Sequence, residues 1–465
     1  MNKLFTFIFL FSLVFAAQAQ TQAVQISGNA PEYAGQQIAL ICPSNPVIYN
    51  NDLITTIKIL PDGSFDASVF INQTSYCYAL IGRWKAEIYL EPGENYQLVL
   101  PPYQPLSEVE KRNPYFQPQS ISFGIKELPA DDTNRLIQNF EEAYNREENN
   151  YFNQIFKDKS KLAADAMISQ LESEFPESGN SYFEAYKYYR LVTIRFALNQ
   201  DKTSEFIKTY VDRQPIQSNL PPFEQLFNQL LTNFFYHESN LIDGSQFRTL
   251  VGTANLKGIE KYLTERNGWS TDFSHMAILK GINDAFYKQQ FNPQTILNLL
   301  SKIEQSNWGT GEKKIAAALK VKLLHLMVGT EAPEVHMQDL NGTSAKLSSF
   351  KDKFVYLHFT TVTNPICRKQ LDELKTIADQ YKTKVEFINL LPKADLAKKK
   401  LILQQNWPGK FMIVDDEVLE NYQVKSFPTS YLLDEKGILI SSPALNPLDG
   451  LSHTLSDTMK QKQLQ

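Results

Sequence analysis

Cys367-Arg368-Lys369, preceded by Asn364-Pro365-Ile366, is where residue types and spacing come nearest to a reaction. A cysteine in the first turn of a helix sits among unpaired backbone N–H groups at the positive end of the helix dipole, and both lower its pKa. Thiol–disulfide exchange needs that thiolate, and a second cysteine one turn away to complete the exchange. Position 364 offers asparagine instead. Asn364 is a good N-cap and Pro365 a good first helical residue, so the pair starts a helix and supplies no nucleophile. These residue types place Cys367 half shielded in the first helical turn. They favour an inert thiol over a working monothiol.

Other candidates are weaker. Cys42 and Cys77 share one β-rich stretch, far in sequence from Cys367. Spacing leaves open a Cys42–Cys77 disulfide or two buried free thiols, because it does not supply the geometry a bridge requires. His237, His275, His325, His336, His358 and His453 show no paired ligand spacing, so neither a metal nor another cofactor is expected. There is no Gly-x-Ser-x-Gly elbow. Trp308 to Lys314 lacks the spacing of a phosphate loop and reads as a helix start. His358 reads as a partly buried strand residue with a hydrogen-bond partner rather than a group that tunes Cys367. Tyr182, Tyr186 and Tyr189 recur at helical spacing and read as a packing face rather than a ligand groove. Trp84 and Tyr89 read in the same way as strand core. Lys398 to Lys400 read as a solvated helix face.

The elements that position Cys367 are a β-like run from Lys353 to Phe359 and a helix from Cys367 to about Tyr381. Residues 20–128 carry short strands with turn residues between them, including a Pro61-Asp62-Gly63 hairpin, and predict an antiparallel β-sandwich. Proline-rich segments at 101–105 and 113–118 mark a linker, with a last strand from Ser120 to Ile125 returning to the sandwich. Residues 129–327 turn helical, opening at Asp131-Asp132 on a long polar helix to about Lys157, and predict an all-α domain. Residues 328–465 alternate strands and helices and predict a three-layer α/β domain. In it Val385 to Leu390 is a buried strand, and Asp395 caps a basic helix to about Gln405.

The corner 363–369 resembles the active-site corner of thioredoxin-like thiol–disulfide oxidoreductases, where the turn reads Trp-Cys-Gly-Pro-Cys-Arg-Lys. In that register Cys367 matches the second cysteine and Asn364 stands where the attacking one would be. Gly329-Thr330-Glu331-Ala332-Pro333, Leu340-Asn341-Gly342 and Leu347-Ser348-Ser349-Phe350 resemble the entry hairpin of the alkyl hydroperoxide reductase and thiol-specific antioxidant branch. That branch's Thr-x-x-Cys peroxidase pattern is not met, since Thr361 is followed three residues later by Asn364. Phe427-Pro428-Thr429 resembles the family's cis-proline loop. The resemblance implies a thioredoxin-like fold over 328–465, a cis Phe427–Pro428 bond, and a loop facing the corner that pairs with an extended peptide or another envelope protein. Residues 20–128 are similar in layout to a β domain found ahead of thioredoxin-like modules in some exported bacterial proteins.

The chain of 465 residues is 43% hydrophobic, enough for several cores. Lys3, the apolar run Leu4 to Ala16 and the small residues Ala17-Gln18-Ala19 predict a signal peptide over 1–19. No later stretch is long and apolar enough for a transmembrane segment, so export to the periplasm is expected. After that cut 45 basic residues face 51 acidic ones, a mild balance without a basic stripe, and no nucleic acid is expected. The expectation for function is a binding or assembly protein of the envelope. The alternative is a thiol–disulfide oxidoreductase or monothiol redox protein using Cys367.

Overall fold

The computed structural model describes residues 21–48, 51–107, 110, 113, 116–199, 203–214, 216, 219–288, 290–350 and 352–463. The expected signal peptide and part of the 113–118 linker lie outside them. The chain divides into two compact units. One is drawn from Met1–Pro105, Pro118–Phe234 and Glu260–Lys280, the other from Leu106–Gln117, Phe235–Ile259 and Gly281–Gln465.

In the first unit, strands β1 (Gln22–Asn29), β2 (Gln37–Pro43), β3 (Asn51–Lys58), β4 (Ser64–Ile71), β5 (Ser75–Ile81), β6 (Trp84–Leu90), β7 (Asn95–Val99), β8 (Gln119–Ser122) and β9 (Gly124–Ile125) form two sheets. Their orders are β4-β1-β7-β9 and β3-β2-β5-β6-β8. Side chains alternate along β7, with Tyr96 and Leu98 buried between exposed neighbours, as a strand with one solvated face requires. Val24, Ile26, Leu40, Val69, Ala86 and Leu98 join the two inner faces in one core. The expected sandwich is present, but it is not wholly antiparallel: β1 pairs with β7, and β6 with β8, in parallel. The Pro61-Asp62-Gly63 turn carries the chain from β3 in one sheet to β4 in the other, so the hairpin expected there is not formed. Asp62 Oδ1 accepts from the Ser64 N–H at 2.9 Å, and Gly63 takes the left-handed φ of +85° that a side chain resists.

Helix α1 (Thr133–Phe152) starts at Asp132, whose side chain accepts from the Asn134 N–H. Its last turn widens into a π-helical turn, Asn153–Lys157. α2 (Lys161–Glu174), α3 (Ser181–Ala197), α4 (Thr203–Phe206) and α5 (Pro221–Leu231) follow. α5 stops at Leu231, and Asn233 adopts φ +51° before α6 (Phe234–Ser239) begins. The α3 tyrosines are core. Tyr182 and Tyr186 pack against Tyr89 of β6 at 5.7 and 6.1 Å between ring centroids. Their hydroxyls donate to Asn219 O and Glu141 Oε1. The helical region continues through α7 (Ser245–Gly252), α8 (Leu256–Glu265), α9 (Thr271–Lys288), α10 (Pro293–Gln305) and α11 (Thr310–Leu324).

The C-terminal sheet has the order β11-β10-β14-β13-β12-β15-β16. Its strands are β10 (His336–Asp339), β11 (Ser344–Lys346), β12 (Phe354–Phe359), β13 (Val385–Pro392), β14 (Lys410–Val414), β15 (Thr429–Leu433) and β16 (Leu439–Ala444). Every residue of β12 is buried, as befits a strand paired on both edges and covered on both faces. Phe354 and Tyr356 point to the face covered by α12 (Pro365–Tyr381) and α15 (Leu451–Gln463), through Leu374, Ile377, Leu451 and Leu455. Val355, Leu357 and Phe359 point to the other face, where Tyr422 packs just after α14 (Asp416–Asn421). This is the three-layer thioredoxin-like arrangement. One element differs from expectation: Lys393–Lys398 is a 3-10 turn, and α13 (Lys399–Gln405) starts only after it. Asp395 does not cap that helix. It is completely buried and serves the corner described next.

Candidate functional site at the β12–α12 corner

β12 ends at Phe359, and five residues turn the chain into α12. Each has a stated anchor. The Thr360 N–H donates to Leu390 O at 3.0 Å, which extends the pairing with β13 by one residue. The Val362 N–H donates to Asp395 Oδ2 at 2.8 Å. Thr361 and Thr363 meet through their hydroxyls at 2.9 Å. Asn364 Oδ1 accepts from the Ile366 N–H at 2.8 Å, and Pro365 is the first helical residue. The helix N-terminus is thus capped by a neutral carboxamide, as the residue types predict.

Cys367 lies one turn in and is completely buried, more deeply than the half-shielded position its sequence predicts. Burial pushes its thiol above the ordinary value. The polar Thr361 backbone and Thr360 side chain nearby oppose this, and the negative charge of Asp395 adds to the rise. The dipole of α12 does not prevail, because the thiolate would have to form out of water and beside another anion. Asp395 Oδ1 has no hydrogen-bond partner among the described residues. Sequence reasoning takes this residue for a helix cap, because only the fold brings position 395 to the Val362 N–H.

The cis-proline loop reaches the same corner through sheet register. Phe359 pairs with Thr429 and His358 with Ser430, so Phe427-Pro428 precedes β15 beside the end of β12. The Phe427–Pro428 bond is cis. Phe427, Pro428 and Thr429 are half-buried, Lys425 and Ser426 are exposed, and the Thr429 hydroxyl donates to Ser426 O at 2.7 Å. Pro365 and Ile366 are exposed on α12, Ile366 at 60%. The corner therefore shows solvent a polar cap and apolar side chains, with its sulfur beneath them.

His358 is completely buried and has a hydrogen-bond partner, Ser430 Oγ, at 2.9 Å from Nδ1. That hydroxyl donates its one proton to Asn446 Oδ1 and accepts from Tyr356, so His358 Nδ1 must be the donor. Burial lowers the His358 pKa to about 3. The imidazole stays neutral and does not tune Cys367 electrostatically. Cys42 and Cys77 lie in the other unit, on β2 and β5, as buried free thiols. Among the described residues no group of three or more His, Cys, Asp or Glu side chains is placed to hold a metal ion. No described helix is long and apolar enough to cross a membrane.

Comparison with known proteins places this corner in a family. Residues 328–442 match the AhpC/TSA family. The thiol-disulfide oxidoreductase ResA of Bacillus thuringiensis subsp. konkukian is 34% identical over 118 residues, which span 24% of this chain and 67% of the relative. The thioredoxin-like protein YneN of Bacillus subtilis is 27% identical over 122 residues, 25% of this chain and 72% of that protein. Among solved structures, a thioredoxin-like protein from Bacteroides caccae aligns with 56% of this chain and 93% of its own, at 15% identity and a TM-score of 0.31.

Between pH 6.5 and about 3 the unfolded chain takes up a proton at His358 that the folded chain refuses, so stability falls as pH drops through that window. Urea unfolding of the C-terminal sheet should lose roughly 2–3 kcal/mol between pH 7 and 4.5 from this group, and His358→Gln should flatten that slope. At Cys367, Asp395→Asn keeps an acceptor for the Val362 N–H and removes the charge that raises the thiol. Alkylation of native protein at pH 8 should be slow in the wild type and at least a few-fold faster in that variant, read by mass spectrometry of the Cys367 peptide.

Proposed function

The chain belongs, through its C-terminal domain, to the thiol-disulfide oxidoreductases represented by ResA within the AhpC/TSA family, and we propose that it is an envelope protein that uses this domain to bind extended polypeptide without dithiol turnover. The observation that carries the proposal is the N-cap of α12. Asn364 stands in the register of the attacking cysteine and is occupied in capping the Ile366 N–H. Cys367, in the register of the resolving cysteine, is buried with its thiol pushed up. A resolving thiol without an attacking one has no mixed disulfide to resolve.

What the corner retains is a surface for main chain and apolar side chains. Ser426 and Phe427 lead into Pro428 beside the end of β12, and Ile366 stands exposed on the first turn of α12. An extended peptide lying along this loop would find backbone groups to pair with and an apolar side chain to cover. The apolar run Leu4 to Ala16, ahead of Ala17-Gln18-Ala19, supports export, and the periplasm is the compartment in which we place this activity.

The test has two parts. In an insulin-reduction assay with dithiothreitol, wild type and Cys367→Ser should give the same rate as buffer alone; a wild-type rate above the Cys367→Ser rate would restore the thiol-enzyme reading. In titrations with a carboxymethylated, unfolded polypeptide, Ile366→Glu should weaken binding roughly fivefold or more at an unchanged melting temperature, because Ile366 is exposed.

A further inference from the structure

We propose that Cys42 and Cys77 are a cross-strand redox pair that closes to a cystine between β2 and β5, a covalent modification in the β-sandwich independent of the thioredoxin-like corner. Register carries the inference. Ile41 pairs with Tyr78 across antiparallel strands, and that register continued by one residue sets Cys42 opposite Cys77. Directly opposed antiparallel residues have Cα atoms about 4.5–5.5 Å apart, within the range of about 4.4–6.8 Å that a disulfide spans. Both side chains point to the inner face, in the same core as Leu40 and Ala79. The two thiols are near enough for each to shift the other's pKa.

The surroundings differentiate the two sulfurs. Asn219 enters from the segment before α5, and its Nδ2 donates to Cys42 Sγ at 2.7 Å and to Pro43 O at 3.0 Å. Its Oδ1 accepts from the Tyr76 N–H at 2.6 Å, so one carboxamide ties β2 to β5 at the cysteines. The Cys77 contact lowers the Cys42 thiol, burial opposes, and Asn219 lowers it further; the same contact and burial push Cys77 up. Cys42 is therefore the thiol that ionises first.

The step requires an external disulfide as oxidant. The Cys42 thiolate attacks one of its sulfurs and displaces one thiol, forming a mixed disulfide. Cys77, losing its proton, attacks Cys42 Sγ and displaces the second thiol. Two electrons and two protons pass from the cysteine pair to the external disulfide, which leaves as two thiols. The bond closes a loop of about 35 residues and constrains the unfolded chain accordingly.

The test uses the full mature chain, unfolded in urea and refolded in a glutathione disulfide–glutathione buffer. Peptide mapping should show Cys42 joined to Cys77, Cys367 as a free thiol, and a mass lower by about 2 Da than the reduced protein. The oxidised protein should melt several degrees above the reduced one, a shift absent from Cys42→Ser/Cys77→Ser. Cys42 and Cys77 recovered as thiols, or each capped singly by glutathione, would overturn the proposal. Mapping is done on the wild type, so the result stands even if the double variant fails to fold.

Discussion

A completely buried carboxyl group holds the C-terminal domain's corner in place. Asp395 comes from a 3-10 turn after β13 and accepts the Val362 N–H at 2.8 Å, between the end of β12 and the start of α12. Buried backbone donors must be satisfied, and this one lies where strand pairing has ended and the helix has not begun. Thr360 is still tied to Leu390 and Asn364 already caps α12, so Val362 is the gap between two ladders. The same carboxyl group contributes to keeping Cys367 protonated. Geometry and reactivity are linked: the contact that shapes the turn opposes the thiolate that the dithiol chemistry of this corner would need.

The corner was legible because it is local. N-cap, first-turn proline and helix pattern all lie within Asn364-Pro365-Ile366-Cys367, and propensity there agrees with the fold. The Phe427–Pro428 loop was legible through family resemblance, and the register Phe359 to Thr429 explains why it belongs beside the corner. Asp395 was misread because Asp before a helical run is ordinarily a cap, and nothing nearby in the sequence reports that position 362 lacks an acceptor. The extra burial of Cys367 was missed for a related reason. Exposure at a helix N-terminus depends on what packs over it, and here that includes residues far along the chain.

In the sandwich, alternation along β7 located the inner face, whereas Pro61-Asp62-Gly63 located a turn but not a hairpin, because β3 and β4 belong to different sheets. Parallel pairing of β1 with β7 and of β6 with β8 could not be read, because alternation reports which face is buried and says nothing of strand direction. The tyrosines of α3 were correctly taken as packing. Their spacing matches a helix face, and Tyr89 meets two of them from β6.

We propose that the corner keeps its architecture but has Asn364 where an attacking thiol would stand. The most direct test is Asn364→Cys, assayed for reduction of a protein disulfide beside the wild type and Cys367→Ser. Cysteine at 364 would occupy the exposed side of the α12 N-terminus, where the unpaired N–H groups favour a thiolate. Turnover in Asn364→Cys, with none in the wild type above the Cys367→Ser background, is the predicted result. Wild-type turnover equal to that of Asn364→Cys would contradict the account, because Cys367 would then be a working thiol in the native corner.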